Sequence, residues 1–225
     1  MKKILGLLFG LSLLTGRSLL AQPVQLGVTA GMTVMQGDYP SYRLKDSFRI
    51  LANPGFGLFI RRPIGSNAGV KASAYFSSFE GDDSLDPDLN GTRVPSRFKY
   101  PFIEIQISGD FSPFHFNLAR RQVDFFVLAG AGAVKTTINN TDISDDCPIF
   151  NLVIPAGAGM RIHLSEQLQA SLHAETNLSF SDCLDGYHGL TNVKDMYTSL
   201  KLAISYGIVP EAGKSNGRNI GCPRF

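Results

Sequence analysis

Eight stretches of the sequence alternate apolar residues with polar or small residues at every second position. The first runs from Leu26 to Val34, where the intervening residues are Gly and Thr. The others lie at 56–61, 70–77, 103–111, 123–134, 151–162, 168–178 and 199–208. Successive side chains of a β-strand point to opposite faces, so this period predicts eight strands. The chain is also rich in Gly and Phe, and its helix-forming blocks are scarce, which indicates an all-β protein.

The first residues have the pattern of a secretory signal peptide. Lys2 and Lys3 precede an apolar run over 4–14, which is shorter than the ~20 residues that a membrane-spanning helix needs. Cleavage after Ala21 would release residues 1–21, leaving one β domain at 22–208 and a polar tail at 209–225. Loss of this peptide lowers the formal net charge from +2 to −1, because it holds three cations and no carboxylate. Such a balanced charge argues against nucleic acid as a partner.

Two architectures fit eight alternating strands: a soluble sandwich or lipocalin-like barrel, and a membrane barrel with its apolar face toward lipid. The lengths of the connections favour the second. The predicted connections at 37–52, 80–96, 137–149 and 181–194 are long, those at 63–67 and 163–166 are short, and 112–122 is intermediate. Long external loops and short periplasmic turns are typical of bacterial outer-membrane barrels. We therefore expect an eight-stranded antiparallel up-and-down transmembrane β-barrel in the cell outer membrane, surrounded by lipid.

The polar faces of these strands carry charged side chains among many Gly, Ser and Thr residues. An eight-stranded barrel encloses an interior that side chains roughly fill, so we expect these charges to form a salt-bridged plug and not a pore. The predicted lumen charge network consists of Arg61, Lys71, Glu104, Asp110, Arg161, His173, Glu175 and Lys201. This interpretation predicts a non-enzymatic protein without a cofactor, a metal site or a catalytic residue.

Two motifs suggest alternatives. Ser171, His173 and Glu175 follow one another at alternate positions, and a lipid-modifying outer-membrane hydrolase could use them as nucleophile, base and carboxylate. Residues two apart on a strand are ~6.6 Å apart along it, which is too far for a direct Ser–His hydrogen bond.

The sequence DPDLNG at 86–91, within an acidic loop at 82–91, matches the start of a calcium loop. The twelfth position holds Arg97 where an EF-hand has a bidentate Glu, so we expect a solvated acidic loop.

The three cysteines divide between the two sides of the predicted barrel. Cys147 and Cys183 fall in the third and fourth external loops, where an oxidising compartment would allow a disulfide between them. Cys222 follows the eighth strand on the periplasmic side, so it is a candidate for intermolecular pairing. We expect the tail, with Arg218, Cys222, Arg224 and Phe225, to become ordered on a periplasmic partner. Arg120 and Arg121 lie in a predicted periplasmic turn and form a second candidate contact.

Several segments resemble one family of outer-membrane barrels from the Bacteroidota. They are GMTVMQGDY (31–39), NPGFGLFIRRPI (53–64), RFKYPFIEIQISGDFSPF (97–114), FFVLAGAGAV (125–134), IPAGAGMRIHLSEQLQASLHAETNLSFSDCLDGYHG (154–189) and NVKDMYTSLKLAISYGI (192–208). The family is that of the PorG-like barrels of the type IX (Por) secretion system, and the FSDCLDG piece followed by KDMY is the most specific. The resemblance implies a non-enzymatic component of the secretion machinery that contacts a periplasmic ring of the lipoprotein PorK and its partner PorN. A general OmpA-like structural barrel without a role in secretion is the alternative.

Overall fold

The computed structural model describes residues 24–36, 52–82, 97–118, 121–136, 150–180, 184 and 195–208. The predicted signal peptide, the acidic motif at 86–91, the three cysteines, Arg120 and the tail at 209–225 lie outside these ranges. None of the described residues forms a helix of the length and hydropathy that crossing a membrane would require.

Eight antiparallel strands form one closed barrel in which each strand pairs with its neighbours in the sequence. Strands β1 and β8 close it along a continuous register from Val24↔Ile208 to Gln36↔Met196. The strands are β1 (Val24–Gln36), β2 (Asn53–Ile64), β3 (Ala68–Asp82), β4 (Arg97–Leu118), β5 (Arg121–Thr136), β6 (Phe150–His163), β7 (Leu168–Ser179) and β8 (Met196–Ile208). The predicted all-β, eight-stranded up-and-down barrel is therefore confirmed, with strands longer than their alternating segments.

The predicted intermediate connection at 112–122 is wrong. Strand β4 continues to Leu118 and β5 begins at Arg121, so only residues 119 and 120 connect them. The pairing of β4 with β5 shifts register between Phe111 and Phe114. A bulge with an extra residue breaks the period of two, so the alternation stops although the strand continues. The predicted loop at 80–96 is also too long, because β3 extends to Asp82.

All short connections lie at one end of the barrel and all long ones at the other. Residues 65–67 and 164–167 form short turns, and two residues separate β4 from β5 at the same end; Gly65 takes a positive φ of 71°, which glycine adopts without strain. The chain enters β1 and leaves β8 at this same end. By the rule for outer-membrane barrels, the short turns mark the periplasmic end and the long loops the external end.

The two faces of the barrel wall have the reverse of the polarity found in a soluble protein. In the described ranges, 24 polar or charged residues are buried against 14 apolar ones. Large apolar side chains on the outer face are exposed, for example Phe56 at 68% and Ile105 at 62%, whereas Glu104 on the inner face is 0% exposed. Buried charges and a continuous exposed apolar surface are each uncommon in soluble domains, so this inversion argues against a soluble barrel.

Candidate functional site

The upper lumen, toward the external end, holds a cluster of two carboxylates around one lysine. Lys201 Nζ lies 3.0 Å from Glu104 Oε1 and 3.0 Å from Glu175 Oε1. Gln106 Nε2 donates to the same two oxygens at 2.7 and 2.8 Å, and the Tyr197 hydroxyl donates to Glu104 Oε2. We call these five residues the carboxylate–lysine cluster. Each member has at least one partner within the cluster, so its charges are both paired and hydrogen-bonded, as burial requires.

Aromatic and aliphatic side chains fill the lumen above this cluster. Phe79 stacks on Phe102 with ring centroids 4.0 Å apart, and Tyr197 packs against both rings. The buried apolar group here consists of Met35, Tyr75, Phe79, Tyr100, Phe102, Val134, Val153, Leu184 and Tyr197. We call it the aromatic plug. It closes the external end of the described lumen with close-packed rings.

A second ionic cluster lies lower in the lumen. Asp110 accepts from Arg61 through both carboxylate oxygens, at 2.8 Å from Nε and 2.6 Å from Nη2, and Arg161 Nη2 lies 3.2 Å from Oδ2. Gln25 Oε1 accepts from Arg61 Nη1 at 3.2 Å. We call these four residues the arginine–aspartate cluster. Its paired Arg–carboxylate contact is the planar bidentate geometry that guanidinium groups favour.

The periplasmic end carries a cluster that the sequence did not reveal. Asp124 Oδ1 lies 2.8 Å from His115 Nδ1, and Asp124 Oδ2 lies 2.7 Å from His163 Nε2. Gln122 Nε2 donates to Asp124 Oδ1 at 2.8 Å. The imidazoles are about 30% exposed, whereas the Asp124 side chain is 6% exposed. His115 fell in the predicted connection at 112–122, and only the extended β4 brings it opposite Asp124.

All eight predicted lumen residues lie on the inner wall, and six of them meet in the two ionic clusters. Lys71 and His173 do not: no ion pair or hydrogen bond joins either one to another described residue. Because both His173 nitrogens lack partners, the Ser171, His173 and Glu175 arrangement of the hydrolase alternative is not assembled. Glu175 is instead held by Lys201, Gln106 and Asn177.

The remaining predicted sites lie at or beyond the ends of the barrel. Arg121 is exposed at the start of β5, next to the short turn. Arg120, the candidate loop disulfide of Cys147 and Cys183, the acidic loop from residue 83 onward, and the tail with Cys222 lie outside the described residues. Over the described part of the chain, no three His, Cys, Asp or Glu residues are grouped so as to hold a metal ion.

Solved structures with the same architecture are similar to this chain at low sequence identity. Neisserial surface protein A is 8% identical over 81% of this chain and 96% of its own, with a TM-score of 0.48. Ail, the attachment invasion locus protein of Yersinia pestis, is 12% identical over 83% and 99%, with a TM-score of 0.45. The outer membrane protein OprG from Pseudomonas aeruginosa is 10% identical over 83% and 94%, with a TM-score of 0.43. No protein-family model and no curated protein matches the sequence.

The surface of the barrel itself indicates where the protein lies. The outer wall presents Phe, Leu, Ile and Val side chains along all eight strands, while charges lie inside. In hydrocarbon every backbone polar group must be bonded internally, which a closed barrel achieves. An even number of antiparallel strands with short turns at one end completes the pattern. This is an integral outer-membrane β-barrel. Its outer wall contacts membrane lipid.

Proposed function

We propose that the protein is a non-enzymatic component of the type IX secretion machinery that anchors or contacts a periplasmic ring of PorK and PorN at the outer membrane. The proposal rests on the segments that resemble PorG-like barrels, from 31–39 to 192–208. A structural observation supports it: ion pairs and aromatic rings fill most of the lumen. A barrel filled in this way serves as an anchor more readily than as a conduit, so its contacts with other proteins belong at its ends.

The periplasmic end is the better place for a contact with the ring. It carries the exposed Arg121, the partly exposed His115 and His163, and the last residue of β8, Ile208, from which the tail continues. Basic side chains on a short turn suit an acidic patch on a partner protein. We propose that Arg120 and Arg121 contact the ring. The tail would become ordered on the same partner, with Cys222 available for a covalent link and Arg218, Arg224 and Phe225 as contacts.

Deletion of the gene tests the role in secretion. We expect cargo proteins of the type IX pathway to be lost from the medium and to accumulate in the periplasm, with restoration by the full-length chain. Normal secretion by the deletion strain would refute the proposal. The protein would then be a general OmpA-like structural barrel without a role in secretion.

A charge reversal tests the contact surface. The double variant R120E/R121E should recover at least tenfold less PorK and PorN in affinity purification from the outer membrane, because it replaces attraction with repulsion. The control is K135E, since Lys135 is exposed near the opposite end of β5. Equal recovery with both variants would show that the turn is not the contact.

Purification without reducing agent, with C222S as control, tests the covalent link: a mixed disulfide that persists in C222S would exclude Cys222.

A further inference from the structure

The lower lumen contains a cavity of about 40 Å³ between the two ionic clusters. A cavity needs roughly 10–15 Å³ to hold one water molecule, so this space holds about three water-sized spheres. The cavity extends toward the periplasmic end as far as Gln25 and Ser205. Tyr75 of the aromatic plug contributes to its lining.

Positive charge dominates the lining of this cavity. Arg61, Lys71, Arg161 and Lys201 line it together with a single carboxylate, Asp110. Both arginines already share Asp110, and Lys201 is held by Glu104 and Glu175, which do not line the cavity. The half-buried Lys71 therefore lines the cavity with no ion pair or hydrogen bond to another described residue, and the carboxylate that attracts it most, Glu175, is itself held by Lys201 and Gln106.

Hydrogen-bonding groups without partners surround the same space. His173 is 5% exposed, and neither of its ring nitrogens has a partner in the described structure. The hydroxyls of Ser73 and Ser108 are buried and also lack partners. All three side chains line the cavity. Buried polar atoms without a partner are uncommon, and four of the twelve in the described residues (Ser73 Oγ, Ser108 Oγ and both His173 ring nitrogens) line this one cavity, which indicates an occupant that accepts hydrogen bonds.

We propose that this cavity binds one small monovalent inorganic anion, of the size of chloride, between Lys71 and His173. An anion gives Lys71 a direct ion pair and accepts hydrogen bonds from the His173 ring and from the serine hydroxyls. Four cations (Arg61, Lys71, Arg161 and Lys201) line the cavity itself against one carboxylate, Asp110, so a bound anion adds negative charge where the lining has least. The volume leaves room for one or two water molecules beside it.

Bromide provides a direct test in the intact protein. Crystals of the purified barrel grown in sodium bromide should show an anomalous peak inside the lumen, within about 3.5 Å of both Lys71 Nζ and a His173 nitrogen. Data from crystals grown in sodium gluconate should show no such peak. The proposal would be overturned if the cavity held ordered water and no bromide. It would also be overturned if bromide peaks occurred only on the surface, as an adventitious ion only.

Stability in solution provides the second test, at constant ionic strength with chloride replacing gluconate. A ligand that binds only the folded barrel should raise the midpoint of urea unfolding by about 0.5–1.4 M for each tenfold increase in chloride above its Kd. Lys71→Met should abolish this dependence, whereas Lys135→Met, outside the lumen, should retain it. A dependence that survives in K71M would place the anion elsewhere. If K71M does not fold, the bromide map of the wild-type protein decides the question.

Discussion

The upper and lower parts of the lumen both hold charged side chains, but they differ in which polar groups lack partners: acceptor oxygens of Gln106 and Glu175 above, and the Lys71 and His173 side chains below. In the carboxylate–lysine cluster one cation meets two carboxylates; Gln106 donates to the same two oxygens as Lys201, and Tyr197 donates to the other oxygen of Glu104. Below it, Lys71 and His173 have no such partners among the described residues. A section whose lumen is filled by side chains therefore lies next to a section whose hydrogen-bond donors lack partners among the described residues.

The difference follows from the size of the neighbouring side chains. At the level of Glu104 the lumen is filled by Gln106, Tyr197 and the rings of the aromatic plug. Around Lys71 the lining includes Ser73, Ser108 and Ser171, which are too small to reach across. Barrel closure satisfies the backbone in both sections, so side-chain size alone determines whether the interior is filled or keeps a cavity. We infer that the upper part provides stability and the lower part is free to bind a ligand.

Lys201→Met is expected to have the largest effect on stability. It leaves Glu104 and Glu175 buried together without their common cation, and breaking a buried ion pair costs about 3–5 kcal/mol. Urea unfolding of the barrel in lipid vesicles should report a loss of this size in the free energy of unfolding. The triple variant K201M/E104Q/E175Q removes all three charges and should recover most of the loss. A loss below ~1 kcal/mol in K201M would mean that the cluster is not needed for stability.

Tyr197→Phe should have an intermediate effect. The change removes one hydroxyl that donates to Glu104 in the buried cluster, and hydrogen bonds to charged groups contribute about 1.5–3 kcal/mol. The matched control is Tyr206→Phe on the same strand. The Tyr206 hydroxyl donates to Gln167 at 2.5 Å, but it is exposed on the outer face, so we expect a loss below ~1 kcal/mol. Equal losses in the two variants would contradict the distinction between the filled lumen and the outer wall.

Much of the fold could be predicted because alternation is a local property of the chain. Residues such as Glu104 and Lys201 could be assigned to one face of their strands from period two alone. Their pairing could not be predicted, because it depends on the stagger of strands around the barrel. Arg61 and Asp110, for example, lie on β2 and β4 and meet across β3, where Gly69 leaves the space. A Cβ at Gly69 would lie 2.5 Å from Arg61 Nη2.

The histidine–aspartate contact at the periplasmic end was missed for a similar reason. The bulge between Phe111 and Phe114 interrupts the alternation of β4, so His115 could not be recognised as a strand residue opposite Asp124. The sequence also could not predict that Lys71 and His173 lack partners, because this depends on the small side chains that face them from other strands.

Ser108→Ala should have the smallest effect on stability, and it tests the lower lumen as Tyr197→Phe tests the upper. Both variants delete one buried hydroxyl, but that of Ser108 has no partner among the described residues. With no hydrogen bond to lose, the change should alter the free energy of unfolding by less than ~0.5 kcal/mol when halide is absent. In chloride the same variant should lose more, because the wild-type hydroxyl then donates to the bound anion. A cost above ~1 kcal/mol without halide would mean that a water molecule already satisfies Ser108, and the two sections of the lumen would then be equally filled.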